Sequence, residues 1–125
     1  MKLTGTVLVV DPDPKIGKEI VGFFKFREME DVRCVWQASF DPDDPKVLKE
    51  PYPVLFIFDE ATIGEPGFFR KLPLELADIP VIFLSTADLA EEVVQSDDFF
   101  WISKPDWRSA LALAITKAML FSGQH

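Results

Sequence analysis

The chain has 125 residues, 48% of them hydrophobic and 27% charged, the balance of one folded domain rather than of a disordered or fibrous chain. Folding at this length buries about two-thirds of the extended chain's surface, so a core forms without disulfides or a structural metal, and the single Cys34 excludes an internal bridge. With 13 basic and 21 acidic residues the net charge is −8, which excludes a general affinity for nucleic acid or for an anionic membrane.

In chain order, Met1 to Val10 carries one lysine and a short apolar run before Asp11. A secretory signal needs a longer apolar stretch and a small-residue cleavage site. No run approaches the roughly 18 apolar residues of a membrane span, so a cytoplasmic location without membrane contact is expected. Five short runs rich in Val, Ile and Phe predict strands at Thr6–Val10, Val32–Gln37, Val54–Phe58, Val81–Ser85 and Phe99–Ser103. Several are nearly continuous in apolar character, as strands buried on both faces are. Between the first two, Ile16, Ile20, Phe23 and Phe24 fall on one helical stripe, with Asp13 as N-cap and Pro14 in the first turn. The second connection is rich in proline, so its helix is confined to Lys46–Glu50. The third predicts a helix over Phe68–Ala77, kinked at Pro73, and the fourth a short one within Leu89–Ser96. The last segment, Asp106–Phe121, places Trp107, Leu111, Ala114 and Ala118 on one face, with Asp106 as a candidate cap. One domain over 1–125 is expected, with 122–125 as a disordered tail.

Strands alternating with helices at this length, joined by right-handed crossovers, predict an α/β fold: a doubly wound, five-stranded parallel sheet of flavodoxin-like order 2-1-3-4-5 with helices on both faces. Such sheets bind ligands at the carboxyl ends of their strands, where this chain has Asp11, Asp59, Ser85-Thr86 and Lys104-Pro105. Strands one and three are neighbours in that order, so the carboxylates of Asp11 and Asp59 meet. Two like charges so close call for a cation, and a hard divalent ion such as magnesium, which prefers oxygen ligands, suits them. Lys104 and Ser85 supply the ammonium and hydroxyl that clamp a phosphoryl group on its way to a carboxylate.

The segments Val7-Leu-Val-Val-Asp-Pro-Asp-Pro14, Val54-Leu-Phe-Ile-Phe-Asp59, Pro80-Val-Ile-Phe-Leu-Ser85 and Ile102-Ser-Lys-Pro105 together resemble the receiver domain of two-component response regulators, over essentially the whole chain. The resemblance implies a non-enzymatic signalling domain. Asp59 would be the phosphoacceptor, Ser85 would contact the phosphoryl oxygens and Lys104 would pair with their charge. It implies magnesium on Asp11, Asp59 and the backbone carbonyl of Ala61, with Asp13 as a further candidate ligand. Trp101 stands at the family's switch aromatic and Gly67 at the glycine that ends the active-site loop. Implied partners are a histidine kinase or phosphotransfer protein, a downstream protein target, and a second copy through the face of helix 4, strand 5 and helix 5. The chain departs from the pattern at Pro12, where receivers carry a second acidic residue that is the better metal ligand.

Three plainer or rival readings stand beside this one. Without phosphoryl chemistry, the departure at Pro12 fits a degenerate receiver acting as an interaction module. Asp11-Pro-Asp13 also matches the DxD of haloacid-dehalogenase-type phosphatases with Ser85 behind it, but Lys15 stands where that motif has threonine or valine, and Asp97-Asp98 precedes Lys104 instead of following it. Taken singly, Asp59 and Ser85 serve as turn residues, Asp13 as a helix cap and Trp101 as packing. Cys34, among Val32, Val35 and Trp36, reads as buried apolar filler. His125 is the only histidine, which excludes a Ser/His/Asp triad and a zinc site of standard ligand count. Leu113, Met119, Leu120 and Phe121 lie beyond the buried stripe of the last helix, as spare apolar surface.

Overall fold

The structure is a computed structural model that describes residues 4–26, 31–39, 52–63, 79–96 and 99–122. Its elements run β1 (Gly5–Val10), α1 (Pro14–Phe26), β2 (Val32–Gln37), β3 (Leu55–Asp59), α2 (Glu60–Ile63), β4 (Val81–Ser85), β5 (Val93–Ser96), β6 (Phe99–Ser103) and α3 (Trp107–Ser122). The six strands form one sheet in the order β2-β1-β3-β4-β6-β5. All neighbours are parallel except β5 and β6.

Gly5 opens β1 with a φ of 114°, a left-handed value that favours glycine. A Cβ there would also come 2.9 Å from Cγ1 of Val54. The Gly5 N–H donates to the Asp31 carbonyl (2.9 Å) and the Val54 N–H to the Thr6 carbonyl (2.8 Å), which sets β1 between its two neighbours. β3 and β4 are buried at every position, so their runs are apolar on both sides rather than alternating.

The alternation of side chains divides the core into two layers. Val7, Val9, Leu55, Ile57, Ile82, Leu84, Phe100 and Ile102 pack in one layer with Ile20 and Phe24 of α1 and with Trp107, Leu111, Ala114 and Ala118 of α3. Leu8, Val10, Phe56, Phe58, Val81 and Phe83 form the other, against Tyr52, Ile79, Phe99 and Trp101. Trp107 meets Phe23 edge-on at 5.9 Å, locking α3 to α1. The Glu19–Arg108 ion pair across the same seam (3.2 Å) is solvent-exposed and worth about 0–1 kcal/mol. The seam is therefore held by aromatic burial, at roughly 1.5–3 kcal/mol per large side chain.

Two expectations need correction. The sheet has six strands and is mostly parallel, not five-stranded and wholly parallel. The short helix expected within Leu89–Ser96 is absent: Val93–Ser96 pairs antiparallel with β6. So short a segment cannot sustain a helix by itself, the adjacent β-branched Val93 and Val94 favour extended chain, and as a strand it buries Val93 to 2% exposure. The two long helices among the described residues, α1 and α3, share one face of the sheet. The helices expected at Lys46–Glu50 and Phe68–Ala77 lie outside the described residues. α3 runs through Ser122, the first residue of the expected tail, and 123–125 lie outside the described residues.

Phe100→Ala, which empties a fully buried site in the helix-facing layer, is expected to destabilise the fold by about 3–5 kcal/mol. Leu120→Ala, at a position 59% exposed, should stay within about 0.5 kcal/mol. Urea unfolding followed by circular dichroism measures both.

Candidate functional site

Parallel pairing places the ends of β1, β3, β4 and β6 along one edge of the sheet. Val10 pairs with Phe58, so the next residues, Asp11 and Asp59, lie side by side. The Lys104 N–H donates to the Ser85 carbonyl (2.7 Å), tying the end of β6 to that of β4. Asp11 is fully buried, Asp59 is 5% exposed and Ser85 2%. Between the carboxylates lies the Lys104 ammonium, with Nζ 3.0 Å from Asp11 Oδ2 and 3.1 Å from Asp59 Oδ1. Two acids from adjacent strands and one base from a third thus converge as the sequence predicts.

The two Asp11 oxygens are treated differently. Oδ1 accepts the Asp13 N–H at 2.8 Å. Oδ2 is buried and receives no hydrogen bond of good geometry, which leaves the Lys104 ammonium as its charge partner. A buried carboxylate oxygen in that position is costly unless a positive charge stands close. The main chain of Asp11 is also fixed at both ends: its N–H donates to the Gln37 carbonyl (3.1 Å), and its carbonyl accepts the Trp36 Nε1–H (2.9 Å). Trp36 is the contact that the sequence reading missed. The available signal was Gly17 on the helix stripe opposite a tryptophan at the end of β2.

The remaining candidates separate by position. Asp13 caps α1: its Oδ1 accepts the Lys15 N–H (3.0 Å) and its carbonyl the Gly17 N–H (3.1 Å). Ser85 Oγ accepts the Ala87 N–H at 3.1 Å, leaving its hydroxyl hydrogen to donate. Ala61 lies exposed in α2, directly after the Asp59-Glu60 junction. Trp101 belongs to the far layer, half-buried and stacked on Phe83 at 5.3 Å between centroids. Asp106 precedes α3, but its carboxylate takes the Ser103 hydroxyl (3.5 Å) and its carbonyl the Ser109 N–H (3.1 Å). Gly67 and His125 lie outside the described residues. Cys34 packs against the core but is half-buried rather than buried, and desolvation pushes its thiol up to about 12, away from the thiolate form.

Magnesium ordinarily takes one or two carboxylates, several waters and a substrate phosphate. Asp11 Oδ2 and Asp59, both within about 3 Å of one cationic atom, meet that minimum donor set, and the unbonded Oδ2 is the atom suited to it. Pro12 offers no side-chain oxygen, Asp13 is engaged as a cap, and no group of three or more His, Cys, Asp or Glu side chains suited to a metal occurs among the described residues.

No protein-family model matches the chain, and no curated protein matches it. Among solved structures, the chemotaxis protein CheY4 of Vibrio cholerae is similar, at 16% identity over 93% of this chain and 99% of that one, with a TM-score of 0.62. The likeness is one of fold, and the chain has a receiver-domain fold. Among the described residues no helix is long and apolar enough to cross a membrane.

Lys104 is raised above the ordinary lysine value of 10.5: burial works against its charge, and the contacts and charges of Asp11 and Asp59 outweigh that opposition. A raised folded value contributes stability that is complete below the unfolded value and lost as pH climbs through the folded one. Stability should therefore fall above about pH 10.5 more steeply in the wild type than in Lys104→Met. Urea midpoints across pH 9 to 12 (roughly the lysine titration range) check this.

Proposed function

We propose that the chain works as a response-regulator receiver, in which Asp59 accepts a phosphoryl group from a histidine kinase or a phosphotransfer protein and a downstream protein reads the change. The observation that carries this reading is the convergence of Asp11, Asp59 and Lys104 at the ends of three strands, with contacts of 3.0 and 3.1 Å. A carboxylate oxygen of Asp59 attacks phosphorus, the new O–P bond forms as the P–N bond of a phosphohistidine breaks, and the electron pair leaves with the imidazole. Lys104 pairs with the charge on the transferred group, and Ser85, whose Oγ already accepts a backbone N–H, donates its hydroxyl hydrogen to a phosphoryl oxygen. Magnesium, held by Asp11, Asp59 and the Ala61 carbonyl, would offset the negative charge that the phosphoryl group brings to the acidic pair.

Output would pass through β4. Trp101 stacks on Phe83, two residues before Ser85, so movement of Ser85 toward a phosphoryl oxygen would reach that ring along one strand. The surface for a target or for a second copy would be formed by β5, β6 and α3, where Leu113 and Leu120 are 40% and 59% exposed. No helix lies between β4 and β5, so this face differs from the expected one of helix 4, strand 5 and helix 5. A second reading, a receiver that binds partners without phosphoryl chemistry, is favoured by one feature: Pro12 supplies no ligand while Asp13 serves as the helix cap.

Incubation with acetyl phosphate and millimolar magnesium is expected to add one phosphoryl group by mass, and Asp59→Asn should abolish it. An unmodified wild type would favour the second reading. Pro12→Asp is expected to tighten magnesium binding by at least about tenfold, since affinity follows ligand charge count. Isothermal titration of both proteins measures this.

A further inference from the structure

Asp11 lies between β1 and α1, where its N–H donates to the Gln37 carbonyl of β2. Pro12 contributes no N–H and restricts the residue before it to extended conformations. The Asp11 carbonyl is held by a side chain instead, the Trp36 indole, whose Nε1–H donates to it at 2.9 Å from the neighbouring strand β2. Trp36 pairs in register with Val9 and so points to the face that carries α1. There it lies against Gly17, where a Cβ would collide with indole atoms Cδ1 and Nε1. Gly17 is buried in α1, one turn after the Asp13 cap that it bonds. The glycine is therefore a recess shaped for the ring, and the ring reaches across it to one peptide of the acidic pair.

We propose that Trp36 is a positioning residue: held over Gly17, it fixes the Asp11–Pro12 peptide and thereby keeps Asp11 Oδ2 against the Lys104 ammonium. It touches neither the reacting atoms nor any ligand. Its effect travels through the Asp11 backbone, in the way that partners behind a ligand orient it and cost about 10–100-fold in affinity when removed. The value of such a device here rests on the receiver reading above, since it prepares the acidic pair for a cation and a phosphoryl group. The placement of Asp11 can nevertheless be measured without either.

The test uses Trp36→Phe, which keeps an aromatic ring over Gly17 and removes the N–H donor. The direct readout is the nitrogen-15 signal of the Lys104 ammonium, which is visible by NMR only while ion pairing slows its exchange with water. This signal is expected to broaden or vanish in Trp36→Phe and to persist in Cys34→Ala, which thins the packing of the same strand without touching Asp11. Gly17→Ala, by displacing the indole, should reproduce the Trp36→Phe effect and serves where that variant folds poorly. In parallel, beryllofluoride with magnesium is expected to bind Trp36→Phe about 10–100-fold more weakly than the wild type. A Lys104 signal unchanged in both Trp36→Phe and Gly17→Ala overturns the proposal. A wild type that binds no beryllofluoride, yet loses the ammonium signal in Trp36→Phe, supports the positioning role while rejecting the phosphoryl chemistry.

Discussion

One ammonium group standing between two buried carboxylates is the constraint on which the carboxyl edge of this sheet depends. Parallel topology delivers Asp11 and Asp59 to adjacent strand ends whether or not their charges are compensated. Removing one member of a buried charge set typically costs about 3–5 kcal/mol, because the remainder is left unpaired. Lys104 supplies the compensation and also joins the last parallel strand to the first and third. The trio still carries a net charge of −1, so the edge retains a local attraction for positive charge although the ammonium occupies its centre.

The same few residues between β1 and α1 meet several demands at once. Asp13 caps the start of the helix, a role in which aspartate is among the strongest choices, and its amide restrains one oxygen of Asp11. Pro14 occupies the first turn, and Pro12 provides no donor and no ligand. The consequence is an acidic residue whose carboxylate is restrained by a neighbour in sequence while its main chain is held by neighbours in space: Gln37 and Trp36, both from β2, hold its two backbone groups.

The parts of this molecule that were legible in the sequence are those governed by periodicity and by strand ends. Apolar runs located the five parallel strands to within a residue, most plainly β3 and β4, which are buried at every position and leave no room for polar punctuation. The helix stripe of Ile16, Ile20, Phe23 and Phe24 and the Asp13-Pro14 start were legible for a similar reason, since capping is local chemistry. The Asp11, Asp59 and Lys104 convergence followed from strand order alone. Val93–Ser96 was misread because a segment of that length carries no period, and its state is decided by what it packs against. The Trp36 contact was missed for another reason: residues 25 apart in sequence meet only through a missing Cβ, and the one signal, a glycine on the helix stripe, does not name what fills the space above it.

Pairing β5 with β6 has a consequence for how the sheet assembles. Each parallel pair must wait for a crossover of a dozen or more residues to be threaded and packed. Ser96 and Phe99 are partners in register although only three positions apart in sequence, so this antiparallel pair forms at a small entropic cost, on the microsecond scale typical of hairpins. β6 thus has one partner near in sequence and one far from it, and the strand that delivers the ammonium is held on both of its edges.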